Sequence, residues 1–425
     1  MMTNKMEDNR RFELYIHIPF CVKKCNYCDF LSGVYGHSDQ RDYISALIRE
    51  LEYQSLRVHG TVSSIYIGGG TPSWIKPDYI VEIMQTVKEY YNVDPLAEIT
   101  IEANPGTIIE EAANTYRSVG INRISVGLQS ANNDELELLG RVHTFEKFLN
   151  TYEILRKAGF DNINVDIMTG LPLQNPGKLL HTLESVTELR PEHISCYALI
   201  VEEGTPFYER YHDDDVRQKN GEKTYLLPNE DQAYELTKRA QNFLVSKGYN
   251  RYEISNYARF GKECVHNIGY WKRTPYLGVG IGAASLIPPG YLSIEPEDPE
   301  ETGGMGLEWR TSNERYIYDY IEDTLHYNEI TSQAAFTDIP TIDTATQLTR
   351  KAAMEEFMFL GLRMTEGVSR SDFKKYFGTS IERIYEVPIK KLEREGLLEE
   401  HGDHLLLNDR GLDISNYCMS LFLMD

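Results

Sequence analysis

The chain lacks any run of apolar residues approaching the roughly 20 that a membrane-spanning helix requires. Its opening segment, MMTNKMEDNRR, has no hydrophobic signal core. A soluble protein of the cytoplasm is therefore expected. Basic residues are in short supply: 43 Lys and Arg stand against 65 Asp and Glu, a net charge of −22. That balance repels a phosphate backbone and argues against a nucleic-acid partner, while solubility alone is enough to explain it. Cysteine is scarce as well, with six in 425 residues. Three of the six fall within eight residues, a distribution of metal ligands in a reducing compartment rather than of a secreted disulfide framework. The length leaves room for one large domain and a smaller appendage.

What is present centres on those three thiols. Cys21, Cys25 and Cys28 stand in the string LYIHIPFCVKKCNYCDF, at the end of a predicted strand. A C-x3-C-x2-C set suits a cubane iron–sulfur cluster whose fourth iron has no protein ligand and can bind a small molecule. A structural zinc knuckle or a partial disulfide set are the alternatives. A closed zinc site normally needs a fourth Cys or His at similar spacing, and His17 lies inside the strand, where packing explains it.

Along the chain, strand-like and helix-like segments alternate. ELYIHIPF (13–20), SSIYIGGG (63–70), EITIEANP (98–105), RISVGLQS (123–130), NINVDIMTGLP (162–172) and HISCYALI (193–200) are short and rich in Ile and Val. Between the first two, Ile44, Leu47, Ile48, Leu51 and Leu56 fall near one helical face. Six β-then-α units in series imply a parallel sheet with right-handed crossovers, and six rather than eight implies an open barrel. Functional groups then belong at the C-terminal ends of the strands. The polar residues obey this, from Cys21 after the first strand through Gly68, Gly69, Gly70 and Thr71, Glu102 and Asn104, and Gln129, to Asp166 in the fifth. Triple glycine lets backbone approach a ligand with no Cβ in the way, although a tight strand-to-helix turn would look the same.

YIHIPFC, the aromatic Tyr27 before the third Cys and CDF after it resemble the opening of the radical S-adenosylmethionine (SAM) family that holds oxygen-independent coproporphyrinogen III oxidase and the HemW-type haem chaperones. The resemblance runs over most of the chain. It implies an α/β fold, a partial (β/α)6 radical SAM barrel with a small C-terminal α+β winged-helix-like domain. The boundaries read as a barrel over 1–286, an insertion and linker over 287–325, and the C-terminal domain over 326–425. The cofactors implied are a [4Fe–4S] cluster on Cys21, Cys25 and Cys28, and SAM, which the open iron chelates and cleaves to a 5′-deoxyadenosyl radical.

Tyr15, Tyr27, Gly69, Gly70, Thr71 and Glu102 match family positions around SAM. Gln129, Arg141 and Asp166 match positions that in the oxidase surround a second SAM, Ala198 matches one that contributes a backbone contact, and Ala284 matches one near SAM where many chaperones have His. A side chain at Gly70 is expected to block SAM while leaving the cluster in place. Each match also has a structural explanation: Gln129 could cap a helix, Arg141 could pair with surface acids, and Asp166 could accept from backbone amides.

Two features bear on the subfamily. The oxidase resembles C-x3-C-x2-C-x-C with a longer N-terminal arm, whereas here Phe30 occupies the additional cysteine position and twenty residues precede Cys21. CVHNIGYW (264–271) resembles the H-N-x-x-Y-W motif of the haem chaperones, with His266, Asn267, Tyr270 and Trp271. An imidazole and flat apolar rings are what a haem requires, although a turn whose aromatics simply pack would read alike. The resemblance thus implies a haem or porphyrin ligand with His266 as axial donor, recipient haem proteins, an electron donor such as flavodoxin or ferredoxin, and membrane association only through partners. The alternatives are coproporphyrinogen oxidation and haem degradation by a related methyltransferase. In the C-terminal part, LLEEHGDHLLLNDRG reads as a hairpin turning at Gly402-Asp403, in a lid or partner-docking domain.

Overall fold

In the computed structural model, which describes residues 10–293, 308–329 and 335–424, the six strand-like segments form β1 (Arg11–Ile18), β2 (Thr61–Gly69), β3 (Asn92–Ala103), β4 (Arg123–Gln129), β5 (Ile163–Thr169) and β6 (His193–Ala198). They pair in chain order and all in parallel. The helix between the first two, α1 (His37–Ser55), buries Ile44, Leu47 and Leu51 with Tyr43. Leu56 departs from the expected face: it is the C-cap of α1 and 67% exposed.

The two-residue period of each strand divides its side chains between two environments. Leu14, Ile16, Ile65, Ile67, Ile99, Ile101, Ile124, Val126, Val165 and Ile194 join one hydrophobic core with the helices. The alternate residues are polar and face the barrel interior: Glu13, Tyr15 and His17 of β1, Ser64 and Tyr66 of β2, Glu98, Thr100 and Glu102 of β3, Arg123, Ser125 and Gln129 of β4, Asn164 and Asp166 of β5, and His193, Ser195 and Tyr197 of β6. A lumen carpeted this way can hold a polar ligand but cannot collapse into an oily core.

The sheet continues past both edges of the six-strand unit. Beyond β6 lie β7 (Asn250–Arg251) and β8 (Asn256–Ala258), antiparallel; on the other side of β1 come β9 (Tyr276–Val279), parallel to it, and then β10 (Ala284–Ile287), β11 (Trp309–Asn313) and β12 (Ile342–Gln347), antiparallel. The outer strands β12 and β7 leave the barrel open. Hydrogen bonding therefore runs through the boundaries drawn at 286 and 325, and residues of the insertion and linker are strands of the sheet. Residues 294–307, the Pro-, Glu- and Gly-rich part of that segment, lie outside the described residues. Glu50 of α1 ties the added strands down: buried, it accepts from Gly280 N–H (2.7 Å), Asn313 Nδ2 (2.7 Å) and the Tyr320 hydroxyl (2.6 Å).

A second core begins near residue 353 and gathers Phe373, Phe377, Ile381, Leu392 and Leu405. It fills the space between the helices Arg350–Gly361, Arg370–Phe377 and Ile381–Glu395 and a three-stranded sheet of β13 (Val368–Ser369), β14 (Leu398–His401) and β15 (His404–Leu407). The β14–β15 turn is at Gly402-Asp403, where Gly402 takes φ +61° and Asp403 accepts from Ser369 and Ser371.

Candidate cluster and cofactor site

The loop after β1 carries Cys21, Cys25 and Cys28, all free and part-exposed, into a cavity of about 300 Å³ at the C-terminal mouth of the barrel. Backbone hydrogen bonds fix the start of that loop: Gly70 N–H donates to Ile18 O (2.8 Å), Thr71 N–H to Phe20 O (2.8 Å), and Cys21 N–H to Gly33 O (2.9 Å). The glycines allow this closeness. A Cβ on Gly70 would lie 2.9 Å from the Phe20 carbonyl oxygen, and one on Gly69, at φ +117°, would lie 2.6 Å from the His17 ring.

Of the residues singled out in the sequence, Tyr27, Gly69, Gly70, Thr71, Glu102, Gln129, Arg141 and Asp166 line the cavity with the three thiols. Arg141 links the loop to the strands: it donates to Cys25 Sγ (3.4 Å), to Asn104 Oδ1 (2.6 Å) and to the Gly127 carbonyl. This places it in the site and not among surface acids. Glu102 accepts from the Tyr66 hydroxyl (2.9 Å) and Gly69 N–H (3.0 Å), and burial pushes its carboxyl up to about 7 against the pull of those two bonds. Gln129 caps no helix. It is buried at φ +76°, where the register between β4 and β5 shifts, a backbone state uncommon outside glycine that aims the amide into the cavity. Asp166 takes Asn164 Nδ2 (2.6 Å) and Ser125 (3.4 Å), side chains rather than backbone amides.

A second cavity of about 490 Å³ adjoins the first and shares Phe30, Gly69 and Glu102 with it. Tyr15, Ala284, Tyr270 and Trp271 line it. The segment 264–271 forms a short helix whose motif residues part company: Asn267 reaches the first cavity, Tyr270 and Trp271 the second, and His266 turns onto Ser64 and Tyr66 of the barrel interior. Gly269 leaves room there for the Glu13 carboxyl, which lies 2.1 Å from where a Cβ would stand and would have to move for any other residue.

A model of the radical SAM superfamily matches residues 15–186, and one of the HemN C-terminal domain matches residues 348–414. A protein of Lactococcus lactis named "Heme chaperone HemW" is 32% identical over 97% of this chain and 97% of its own; one of the same name from Escherichia coli is 30% identical over 97% and 98%. The chain belongs to the HemN/HemW family of radical SAM proteins. The solved structure of coproporphyrinogen III oxidase (HemN) from Escherichia coli superposes with a TM-score of 0.76 over 98% of this chain and 91% of that one. At 22% identity this likeness shows the shared fold, the open barrel with its C-terminal domain.

Radical SAM proteins carry a [4Fe–4S] cluster and SAM, and the HemN/HemW site here fits both. A cubane presents its irons at separate corners, so three thiolates around one cavity suit it. Burial pushes the Cys21 and Cys28 thiols up, so bound iron must supply the stabilisation of their thiolates. For SAM there are the Cβ-free approach at Gly70, carboxylates at Glu102 and Asp166 for a cationic ligand, and a cavity within the size range of small-molecule sites.

Two assignments require correction. His266 is no open axial donor: its ring is 1% exposed, Nδ1 shares a hydrogen bond with Ser64 Oγ (2.8 Å), Nε2 shares one with the Tyr270 hydroxyl (3.0 Å), and Tyr66 stacks against it. Burial keeps the imidazole neutral, at about 3. Ala198, matched for a backbone contact, lines neither cavity with backbone or side chain, and its neighbour Tyr197 faces in. Sequence reading also passed over Tyr66, Arg123, Ser125, Asn164, Ser195 and Tyr197, which complete the first cavity. Counting by twos back from Glu102, Gln129 and Asp166 would have found several of them.

Proposed function

We propose that this protein binds haem and passes it to recipient apoproteins, using the cluster and SAM as resident cofactors. The observation that carries the reading is likeness over nearly the whole chain to proteins named heme chaperones, joined to the aromatic second cavity that the H-N-x-x-Y-W segment lines with Tyr270 and Trp271.

When bound, the cluster supplies an electron to the sulfonium of SAM. Cys21, Cys25 and Cys28 would hold it, and Arg141 places a positive charge beside Cys25. Gly69, Gly70 and Thr71 would give SAM backbone access, Glu102 would meet its cationic end, and Tyr27, Gln129 and Asp166 would line the same cavity, with Tyr15 and Ala284 in the adjoining one. Lys23 and Lys24 stand exposed at the mouth of the first cavity, a basic rim on a chain of net charge −22, and suit an acidic electron donor such as flavodoxin or ferredoxin. Among the described residues no helix is long and apolar enough to cross a membrane. A cytoplasmic protein that meets membranes through its recipients, and no nucleic acid, agrees with the charge.

Haem titration of the anaerobically reconstituted protein tests the reading. Saturable binding with a shifted Soret band is expected, and haem should appear on an apoprotein recipient in a transfer assay. Affinity no better than that of a control protein free of Cys and His would overturn it. Formation of protoporphyrinogen IX from coproporphyrinogen III would return the chain to the oxidase reading.

A further inference from the structure

The second cavity is aromatic on one side and carries one formal cation. Tyr270, Trp271, Tyr276, Leu286 and Leu360 give it apolar walls. Among the described residues that line it, Arg310 of β11 is the only arginine or lysine, and His17 is held neutral by burial, at about 4. The Arg310 side chain is 34% exposed. Its Nη1 donates to the Tyr276 hydroxyl (3.0 Å) and its Nη2 to Glu356 Oε2 (2.8 Å), and Nε, though buried, has no hydrogen-bond partner. A guanidinium has five N–H groups, so each Nη here retains a donor. The carboxylate it pairs with is shared: Glu356 Oε2 also accepts from Arg273 Nε (3.1 Å). Glu356 can therefore yield Arg310 to another carboxylate without being left unpaired in a half-buried position, where a lone charge would be costly.

An under-used arginine at the edge of a flat aromatic pocket is the chemistry of a planar, apolar molecule carrying carboxylates. We infer that the second cavity takes such a ligand, its ring system against Tyr270, Trp271 and Tyr276 and one carboxylate on Arg310 in place of Glu356. The inference rests on the haem reading above, since haem is a planar ring with two propionates, and it names the residue that selects for the acid. Glu356 and Leu360 lie on the helix Arg350–Gly361, so the same contact would report occupancy to the C-terminal unit.

The test compares haem with its dimethyl ester, which keeps the ring and loses the charges, on the reconstituted full-length protein. Wild type should prefer the acid by about tenfold or more, the scale of a charge-assisted hydrogen bond. Arg310→Gln should bind the ester as wild type does and lose the preference, with iron content and melting curve confirming its fold. An Arg310→Gln variant that keeps the preference, or a wild type that shows none, would overturn the inference while leaving haem binding intact. Binding of neither compound would remove the haem reading together with it. If Arg310→Gln fails to load iron, Glu356→Gln decides. That variant removes the competing carboxylate, so a larger preference for the acid supports the inference and an unchanged one overturns it.

Discussion

Replacing Gly70 by Ala puts the relation between the glycine run and the cluster loop to the test. The added Cβ would lie 2.9 Å from the Phe20 carbonyl oxygen, 2.9 Å from the Pro19 carbonyl carbon and 3.0 Å from Phe20 N. These are backbone atoms, roughly 0.5 Å or more inside ordinary van der Waals separation. No rotamer change can relieve them. The segment is held by Gly70 N–H to Ile18 O and by Gly33 N–H to Pro19 O (2.9 Å), so it must move as a piece, and Cys21 is the next residue. Overpacking of this kind costs about 1–3 kcal/mol. The structure thus alters the expectation that a side chain at Gly70 would spare the cluster: Gly70→Ala should lower the melting temperature of the apoprotein and reduce iron incorporated on anaerobic reconstitution as well as SAM affinity. Gly290→Ala is the control, because a Cβ there meets nothing within 4 Å. Iron loading and a melting curve equal to wild type in Gly70→Ala would refute the argument.

Single Ala variants of Cys21, Cys25 and Cys28 should lose the brown absorption of the cluster, whereas Cys418→Ala, in the second core, should retain it; iron analysis checks both. His266→Ala strips partners from Ser64 and Tyr270 and should destabilise the fold by about 1–3 kcal/mol, while the Soret maximum of the haem complex stays where wild type has it, since the ring is buried with both nitrogens already bonded. A displaced maximum would restore His266 as an axial donor. Glu50→Gln sets an amide against donors from Gly280, Asn313 and Tyr320 and should cost about 2–3 kcal/mol in urea unfolding. Burial raises the Glu50 carboxyl from 4.5 to about 7, so the folded state holds its proton more tightly than the unfolded state. That contribution is complete below pH 4.5 and is lost as pH rises through 7, on the order of 3 kcal/mol. Wild type should therefore lose stability across this window more steeply than Glu50→Gln, and parallel profiles would contradict the linkage.

The sequence by itself determined what local spacing can encode. Three cysteines at C-x3-C-x2-C, six strands of which the first five carry a glycine or polar residue toward or just after the C-terminal end, and the period of two that separates Ile99 and Ile101 from Glu98, Thr100 and Glu102 are short-range patterns, and chain connectivity turns them into a parallel open barrel with its chemistry at one mouth. Gly69, Gly70, Thr71, Glu102, Asn104, Gln129 and Asp166, chosen that way, line a single cavity with the thiols, and Tyr27 and Arg141, which the family resemblance supplied, join them there.

Tertiary structure alone decided what depends on partners distant in sequence. Nothing near residue 266 reveals that Ser64, 202 positions away, occupies one imidazole nitrogen, so an exposed haem donor and a buried strut read alike in the motif. The strand β11 reads as linker and β12 as part of the C-terminal domain, until Glu50 binds Asn313 from 263 positions away and the two strands pair in the barrel sheet. Arg310 and Glu356 become a candidate carboxylate site only because β11 and a helix of the C-terminal unit meet at the second cavity. A hydrogen bond or ion pair needs two groups within about 3 Å of each other, and where the chain must travel hundreds of residues to bring them there, packing rather than local pattern determines which groups are satisfied and which remain available to a ligand.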